Sequence, residues 1–320
     1  MPPRAILLTG GCGFIGSHLV DALLEAGHRV VVVDDLSTGC RENLNPQAGF
    51  FPMDVASPAL SRLFARERPE LVVHLAAQVS VTRSLRRPAL DAHTNLLGTL
   101  NLLECCRRAA LRGHPVRRVV FLSSAAVYGE PAYLPIDESH LRRPHSPYGL
   151  HKRVAEEYLS LYRQRYGLDS CTLICANVYG PRQRPSAGVD GAVVPSLLAR
   201  LGRGRPGVIY GDGEQTRDFV YVEDVARACV LALERGSGGA TLNLGTGRET
   251  SINRLHSLLA GLAGVRAAPL RRPARPADIR RSCLNGRRAA ELLGWEPRVG
   301  LEEGLARTWE WWQAAGDRGR

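Results

Sequence analysis

The chain has 320 residues, 44% of them hydrophobic and 23% charged, which is enough to bury the core of one large domain or of two unequal ones. Its net charge is +11, but the basic residues are spread along the chain without a long basic run or interleaved aromatics, so we expect no nucleic-acid partner. No segment has the roughly 18 consecutive apolar residues of a membrane span, and the N-terminal residues lack a secretory apolar stretch. We therefore expect a cytoplasmic protein with no membrane partner.

The first half of the sequence alternates short β-rich apolar runs with longer segments in which apolar residues recur every three to four positions. This alternation is typical of an α/β fold with a doubly wound parallel Rossmann sheet. The predicted strands cover residues 5–9, 29–34, 71–75, 118–123 and 170–175. The predicted helices cover residues 17–26, 96–110 and 145–166, and Ser146 and Pro147 supply the cap and first-turn proline of the last one.

The composition changes after Asn177, where glycine and proline become more frequent and the elements shorter. A proline-punctuated basic loop at residues 271–281 precedes two predicted helices, at 286–293 and 301–315. We predict a first domain formed by residues 1–176 plus about 218–248, which contains the doubly wound sheet. A smaller second domain is predicted from about 177–217 plus 249–320. The eight cysteines include no Cys-x-x-Cys pair and no zinc-spaced Cys/His cluster, so we expect free thiols and no metal.

A glycine-rich segment, residues 9–16, joins the first predicted strand to the first predicted helix. Glycines at positions 10, 13 and 16 would let backbone N–H groups approach a pyrophosphate at the positive end of the helix. Asp34, at the end of the second strand, lies where this fingerprint needs an acceptor for the adenosine ribose hydroxyls, and its charge favours NAD over NADP. Asp34 alone could equally be a turn aspartate, but strand, helix and carboxylate together predict a dinucleotide site.

Tyr148 and Lys152 are four residues apart on a predicted helix, so both lie on one helical face. Lys152 is the only lysine among the 42 lysines and arginines, which marks a position where guanidinium is unsuitable. A buried ammonium beside a phenol favours the phenolate, so we predict that the pKa of Tyr148 is lowered toward neutrality. Ser124, at a strand end, could share a proton with a substrate alcohol. The alternative is a surface Tyr–Lys pair.

Taken together, these features resemble the extended short-chain dehydrogenase/reductases of the UDP-glucose 4-epimerase group. The resemblance covers about residues 4–315 and rests on motifs at residues 9–16, 34–39, 54–55, 74–77, 123–129, 148–152, 177–182, 217–224, 243–247 and 275–278. It implies that Tyr148 takes the proton of the sugar 4-hydroxyl while NAD takes the C4 hydride. The 4-keto sugar then turns over and is reduced on its other face.

The resemblance also implies that the first domain is an NAD-binding Rossmann domain and that the smaller domain binds the nucleotide sugar. It implies Ser124, Tyr148 and Lys152 as the catalytic set, together with the residues that hold cofactor and substrate. The implied cofactor residues are Gly10, Gly13, Phe14, Ile15, Gly16, Asp34, Asp35, Leu36, Ser37, Thr38, Gly39, Asp54, Val55, Leu75, Ala76, Ala77, Gln78, Asn95, Tyr148, Lys152 and Cys175. The implied substrate residues are Ser124, Tyr148, Asn177, Val193, Val194, Tyr210, Arg217, Arg275, Asp278 and Ser282. Arg217 and Arg275 would contact phosphate, and Asp278 a ribose.

The choice of reaction depends on Ala125 and Ala126. Related dehydratases carry an Asp-Glu pair there and related decarboxylases a glutamate, so two alanines favour epimerisation. Ser282 replaces the bulky tyrosine that restricts some relatives to unsubstituted hexoses, which implies UDP-GlcNAc and UDP-GalNAc as substrates beside UDP-Glc and UDP-Gal. A UDP-glucuronate 4-epimerase, another nucleotide-sugar oxidoreductase and a non-enzymatic NAD sensor remain alternatives. The resemblance further implies a homodimer through the helices near residues 96–110 and 145–166.

Overall fold

The computed structural model describes residues 2–185, 192–275 and 278–317, so the middle of the 275–278 motif lies outside the described residues. A central sheet of seven parallel strands runs through the molecule in the order β11-β6-β5-β4-β1-β2-β3. Three further two-stranded pairs are β10 with β7, β12 with β9 and β13 with β8. The strands are β1 (Ala5–Thr9), β2 (Arg29–Asp34), β3 (Gly49–Pro52), β4 (Leu71–His74), β5 (Arg118–Ser124), β6 (Ser170–Cys175), β7 (Asn177–Tyr179), β8 (Val208–Tyr210), β9 (Thr216–Arg217), β10 (Phe219–Tyr221), β11 (Thr241–Leu244), β12 (Thr250–Ser251) and β13 (Leu270–Arg272).

Helices cover both faces of the central sheet. They are α1 (Phe14–Glu25), α2 (Leu60–Glu67), α3 (Val81–Arg86), α4 (Pro88–Ala92), α5 (Gly98–Leu111), α6 (Pro147–Tyr166), α7 (Val193–Leu201), α8 (Val222–Arg235), α9 (Ile252–Leu262), α10 (Arg287–Leu293) and α11 (Leu301–Asp317). A wider helical turn, His93–Leu97, precedes α5. The predicted doubly wound α/β sheet is confirmed.

Both faces of the sheet are apolar because β1, β4 and β6 are buried on each side, as parallel strands between two helical layers must be. One apolar cluster lies against α1 and α8 and includes Leu19, Leu23 and Val225. The opposite cluster lies against α2, α5 and α6 and includes Phe64 and Leu102. Helix α6, which carries Tyr148 and Lys152, is therefore fixed to the sheet by an apolar face.

A separate apolar cluster is formed entirely by residues beyond Asn177. It contains Tyr179, Leu197, Phe219, Leu255 and Leu305, with Trp309 and Trp312 packed against its edge. This core has its own helices, α7, α9 and α11, and it also includes Phe219, which the predicted boundary near residue 218 assigns to the first domain. The domain boundaries themselves remain a prediction.

Several elements differ from the sequence prediction at their ends. Helix α1 begins at Phe14 rather than at residue 17, because Gly13 is already extended and its carbonyl accepts the Ser17 N–H at 3.0 Å. Helix α6 begins at Pro147, and the Ser146 hydroxyl caps it by accepting the Gly149 N–H at 3.1 Å. The sequence had placed that cap correctly.

No helix within the described ranges is both long and apolar enough to cross a bilayer. Within the same ranges, no group of three or more His, Cys, Asp or Glu side chains could hold a metal ion. All eight cysteines carry free thiols.

The third cluster contains a buried histidine without a polar partner. His256 is 5% exposed and its Nε2 has no hydrogen-bond partner. Burial, and then the nearby charge of Arg271, lower the pKa of His256 below its usual value. The unfolded chain therefore takes up this proton at a higher pH than the folded chain, so stability falls as the pH drops through about 6.5.

Replacing His256 with leucine should remove this acid sensitivity. Between pH 7 and pH 5, we expect the wild type to lose more free energy of unfolding than His256→Leu, with a difference of up to about 1.4 kcal/mol per pH unit. Urea unfolding at several pH values measures this difference, with the exposed His114→Leu as the control. Parallel stability curves for wild type and His256→Leu would contradict the assignment.

Candidate active site

The candidate site lies at the carboxyl edge of the central sheet, between β1 and β4. These two strands are neighbours, but the chain first runs from β1 to β2 and β3 on one side before it returns to β4 on the other. Loops that leave adjacent strands in opposite directions open a crevice at this edge. The glycine-rich loop after β1 and residues 75–78 after β4 line that crevice.

The glycine-rich loop requires glycine at two of its three predicted positions for steric reasons. Gly10 has a φ of +76°, and a Cβ atom there would lie 2.7 Å from the Ala76 backbone nitrogen. A Cβ atom at Gly16 would lie 2.1 Å from the Gly10 carbonyl oxygen. Gly13 caps α1 without any side-chain hydrogen bond to the first helical turn. The N–H groups of that turn, at Phe14 and Ile15, are therefore suited to an anion.

Asp34 lies at the end of β2 and faces the same loop. Its side-chain oxygens accept the Cys12 N–H and the Leu36 N–H, each at 2.9 Å. Burial raises the pKa of Asp34, and the two backbone hydrogen bonds oppose that rise. A Cβ atom at Gly39 would come within 2.8 Å of the Asp34 carboxylate. A close-packed carboxylate at this position suits a ribose diol and excludes a 2′-phosphate.

A buried hydrogen-bond chain joins the end of β1 to the end of β4, and its direction is fixed. The Thr99 hydroxyl donates to the Asn95 carbonyl at 2.8 Å, so it must accept from His74 Nε2 at 2.9 Å. His74 Nδ1 then accepts from the Thr9 hydroxyl at 2.7 Å. Burial, helped by the charge of Lys152, lowers the pKa of His74 to about 3. The imidazole therefore stays neutral and locks the two strand ends together.

A second polar network connects the loop after β4 to α6. The Gln78 backbone N–H donates to the Asn95 side-chain oxygen at 3.0 Å, and the Asn95 side-chain amide donates to the Gln78 carbonyl at 2.9 Å. The Gln78 amide also donates to Asp91 at 2.6 Å, and the other oxygen of this fully buried carboxylate lies 2.6 Å from His151 Nδ1. Two predicted cofactor residues are thereby tied to the helix that carries Tyr148 and Lys152.

Tyr148 and Ser124 meet at the base of this crevice, as predicted. Ser124 Oγ accepts the Ala126 N–H at 3.3 Å, which leaves its proton free for the hydrogen bond with Tyr148. The predicted lowering of the Tyr148 pKa is wrong for the chain alone. Burial of the phenol raises the pKa of Tyr148 to about 12, and the Ser124 hydrogen bond only partly opposes this.

The physical reason lies in the orientation of Lys152. Its ammonium group donates to the Leu122 carbonyl at 2.9 Å and lies 4.6 Å from the centre of the Phe121 ring. Lys152 is only 3% exposed, and burial lowers its pKa to about 8. The ammonium is thus directed at strand β5. Loss of hydration therefore dominates the pKa shifts of both Lys152 and Tyr148.

The remaining predicted cofactor residues lie around this frame. Cys175 ends β6 directly beside Ser124 in the sheet register, and burial raises the pKa of its thiol to about 12. Val55 is buried against Gly98, and Asp54 contacts His93 at 2.8 Å. Residues 35–38 are exposed. The two tight glycine positions, the uncapped start of α1 and the Asp34 carboxylate fit a dinucleotide such as NAD.

The predicted phosphate-binding side chains converge on the second part of the molecule. Arg217 forms an ion pair with Asp278, and burial lowers the pKa of Arg217. The guanidinium of Arg275 stacks 4.1 Å from the centre of the Tyr210 ring, and its Nε is buried without a hydrogen-bond partner. A stacked arginine with an unused donor is suited to a phosphate or a base.

Asp218, next to Arg217, joins three segments of this region. Its buried carboxylate accepts the Thr246 N–H at 3.0 Å, the Thr246 hydroxyl at 2.5 Å, the Gly247 N–H at 3.2 Å and the Leu284 N–H at 3.1 Å. The last contact holds the segment that contains Ser282, which is 9% exposed. The position of Ser282 thus depends on a carboxylate that sequence reasoning did not single out.

The side chains of three predicted substrate residues are not directed at a ligand by any contact described so far. Val194 is 2% exposed and belongs to the third apolar cluster, so any ligand contact there has to come from its main chain. Val193 packs against the edge of that cluster. Asn177 is exposed, and its N–H pairs with the Asp218 carbonyl at 2.9 Å.

Ala125 and Ala126 form a short helical turn, Ala125–Val127, immediately after Ser124. Both are half-buried beside Ser124. Neither methyl group can donate or accept a proton, so this turn adds no acid or base next to Ser124.

Comparisons with known proteins agree with this geometry. The sequence profile described as the NAD dependent epimerase/dehydratase family matches residues 6–245. A UDP-glucose 4-epimerase of Mycolicibacterium smegmatis is 45% identical over 315 residues, which cover 96% of this chain and 98% of that protein. The crystal structure of a Thermotoga maritima UDP-glucose 4-epimerase with UDP-glucose has a TM-score of 0.93 at 45% identity, covering 97% and 99% of the two chains. The Thermus thermophilus UDP-glucose 4-epimerase complex with NAD has a TM-score of 0.89 at 41% identity, with the same coverage.

Proposed function

The chain belongs to the NAD-dependent epimerase/dehydratase family, and we propose on that premise that it is a UDP-hexose 4-epimerase. It inverts carbon 4 of the sugar through a transient 4-keto intermediate, with NAD as the cofactor. The single observation that carries the proposal is the meeting of Ser124 and Tyr148 beside the inert Ala125–Val127 turn. A proton-transfer pair without a second acid or base suits an alcohol–ketone interconversion and no elimination.

The chain's own residues supply the proton chemistry. Tyr148 accepts the proton of the sugar 4-hydroxyl and returns it when the ketone is reduced on the opposite face. The Ser124 hydroxyl, which donates to the phenol, bridges it to the sugar oxygen. The Lys152 ammonium keeps a positive charge near the phenolate. When bound, NAD supplies reversible hydride acceptance together with the positive charge of its nicotinamide, which offsets the raised pKa of Tyr148.

We propose that the nucleotide diphosphate binds at the arginine-rich segments beyond Asn177. Arg217 and Arg275 are the phosphate ligands, and Asp278 and Tyr210 contact the nucleoside. The support is that Arg275 has a buried, unused donor while stacked on Tyr210, and that Arg217 is held beside Asp278. Such planar, preorganised cations favour a bidentate contact with phosphate.

A panel of UDP-sugars tests the reaction. Purified protein without added cofactor should interconvert UDP-Glc and UDP-Gal, as measured by NMR, and no reduced nicotinamide should accumulate in the absorbance spectrum. Tyr148→Phe should lower kcat by about 100- to 10,000-fold while UDP-sugar binding is retained, because only the phenolic oxygen is lost. Steady release of NADH would instead favour an oxidoreductase, turnover of UDP-glucuronate alone a uronate epimerase, and an inert wild-type protein an NAD sensor.

We further propose that the pocket accepts N-acetylated sugars because Ser282 is small. Ser282→Tyr should abolish turnover of UDP-GlcNAc and leave turnover of UDP-Glc within a few fold, since added volume at this position excludes only the bulkier substrate. The two kcat/KM values, compared for wild type and variant, measure the effect. A wild type that converts UDP-Glc and leaves UDP-GlcNAc untouched would refute the size argument.

We also propose that the enzyme is a cytoplasmic homodimer. Four apolar side chains on or beside α5 and α6 are between 46% and 54% exposed: Leu97, Leu150, Leu161 and Tyr166. Two such helices, each with exposed apolar side chains, are suited to pairing with the same helices of a second copy of the chain. Sedimentation at micromolar concentration should give the mass of two chains, and a monomeric mass would refute this part of the proposal.

A further inference from the structure

Three consecutive residues at the end of β5 contact three successive turns of α6. The Ser124 hydroxyl bonds Tyr148, the Leu122 carbonyl accepts from Lys152, and the Ser123 hydroxyl donates to Glu156. Tyr148, Lys152 and Glu156 are spaced by four residues each, so they form one row along the buried face of the helix. The row therefore has a third member, Glu156, which no role described above explains.

Glu156 is an almost completely buried carboxylate with two partners. Its side chain is 3% exposed, and it accepts from the Ser123 hydroxyl and from the guanidinium of Arg142. The Arg142 side chain reaches it from the loop before α6 and is itself 23% exposed. A buried carboxylate costs several kcal/mol unless it is paired. This one is paired, and it lies between two cations, Arg142 and Lys152.

The titratable groups around Lys152 come from several elements. Tyr148 and Glu156 lie one turn to either side on its own helix, Asp91 on α4, Cys175 on β6 and the neutral His74 on β4. Burial is the main cause that lowers the Lys152 pKa, and Glu156 is the foremost group that opposes it.

We propose that Glu156 is a positioning residue for the epimerase reaction, whose carboxylate, held by Ser123 and Arg142, keeps the buried Lys152 as an ammonium ion beside Tyr148. This proposal rests on the proposed function for its meaning in catalysis. Its electrostatic content can be tested without turnover.

Two substitutions should separate the charge of Glu156 from its packing. Glu156→Gln removes a negative charge one turn from Lys152 and leaves Arg142 unpaired, and both changes disfavour the ammonium. Glu156→Asp keeps the negative charge, so the ammonium should be retained. A purely structural ion pair would weaken folding in Glu156→Gln without moving the titration of Lys152.

The single lysine of this chain makes the measurement direct. In enzyme labelled with ¹³C at the lysine ε-carbon and saturated with NAD, only Lys152 gives a lysine side-chain resonance. Its titration midpoint should fall by about one pH unit or more in Glu156→Gln and stay near the wild-type value in Glu156→Asp. The adjacent Glu157→Gln is the matched control, because Glu157 is 63% exposed and paired with Arg153, and its midpoint should equal that of the wild type.

The pH dependence of kcat gives the second readout. Lys152 acts as the ammonium ion, so kcat should fall as the pH rises through its pKa, and this alkaline limb should move with the NMR midpoint in each variant. An unchanged midpoint in Glu156→Gln, or an equal fall in Glu156→Asp, overturns the proposal. If Glu156→Gln does not fold, the double variant Glu156→Gln/Arg142→Gln decides, because it leaves no unpaired partner of the ion pair. Its midpoint should still fall, since Glu156 is the foremost charge that acts on Lys152, and an unchanged midpoint there also overturns the proposal. Absence of epimerase activity in the wild type would refute the proposed function and leave the titration result standing.

Discussion

A buried ammonium group that must stay charged organises the catalytic half of this protein. Lys152 is removed from water by the packing of α6 on β5, and it is compensated by a strand carbonyl, an aromatic face and a row of polar groups along the helix. Because parallel strands end at one edge of the sheet, the same packing brings Ser124 to Tyr148. The apolar layer under α6 therefore sets the geometry and the electrostatics of the site together.

Local patterns in the sequence were sufficient for the sheet, for the glycine-rich loop and for the cap of α6. The strands at 5–9, 29–34 and 170–175 have the predicted ends, because each is a short apolar run closed by a polar turn. Contacts between distant residues could not be read in this way. The neutral His74 between Thr9 and Thr99, and Asp91 beside His151, depend on strands and helices that only the fold brings together. The wrong direction for the Tyr148 pKa has the same origin, since helical spacing gives proximity and not burial or orientation.

The part of the chain beyond Asn177 uses its positive charges differently from the part that contains Lys152. Here the cations are arginines, of which Arg217 is paired with Asp278 and Arg275 is stacked on Tyr210. The carboxylate of the neighbouring Asp218 joins the segments at 246–247 and 282–284. Guanidinium groups keep their charge under any desolvation that a protein surface imposes. The one lysine thus occupies a position where burial shifts the pKa of the amine, and arginines occupy the positions where a permanent positive charge is needed.

This division of labour changes how the protein reacts with carbonyl compounds. Side-chain amines form Schiff bases with the open-chain aldehydes of sugars, but the one ε-amine of this chain is 3% exposed. Its solubility-giving cations are otherwise guanidinium groups, which do not undergo that condensation in the same way. Free sugars therefore find almost no accessible lysine side chain on this hexose-converting enzyme, and slow glycation of lysine is suppressed. An acylating reagent could modify a lysine only by reaching the active site.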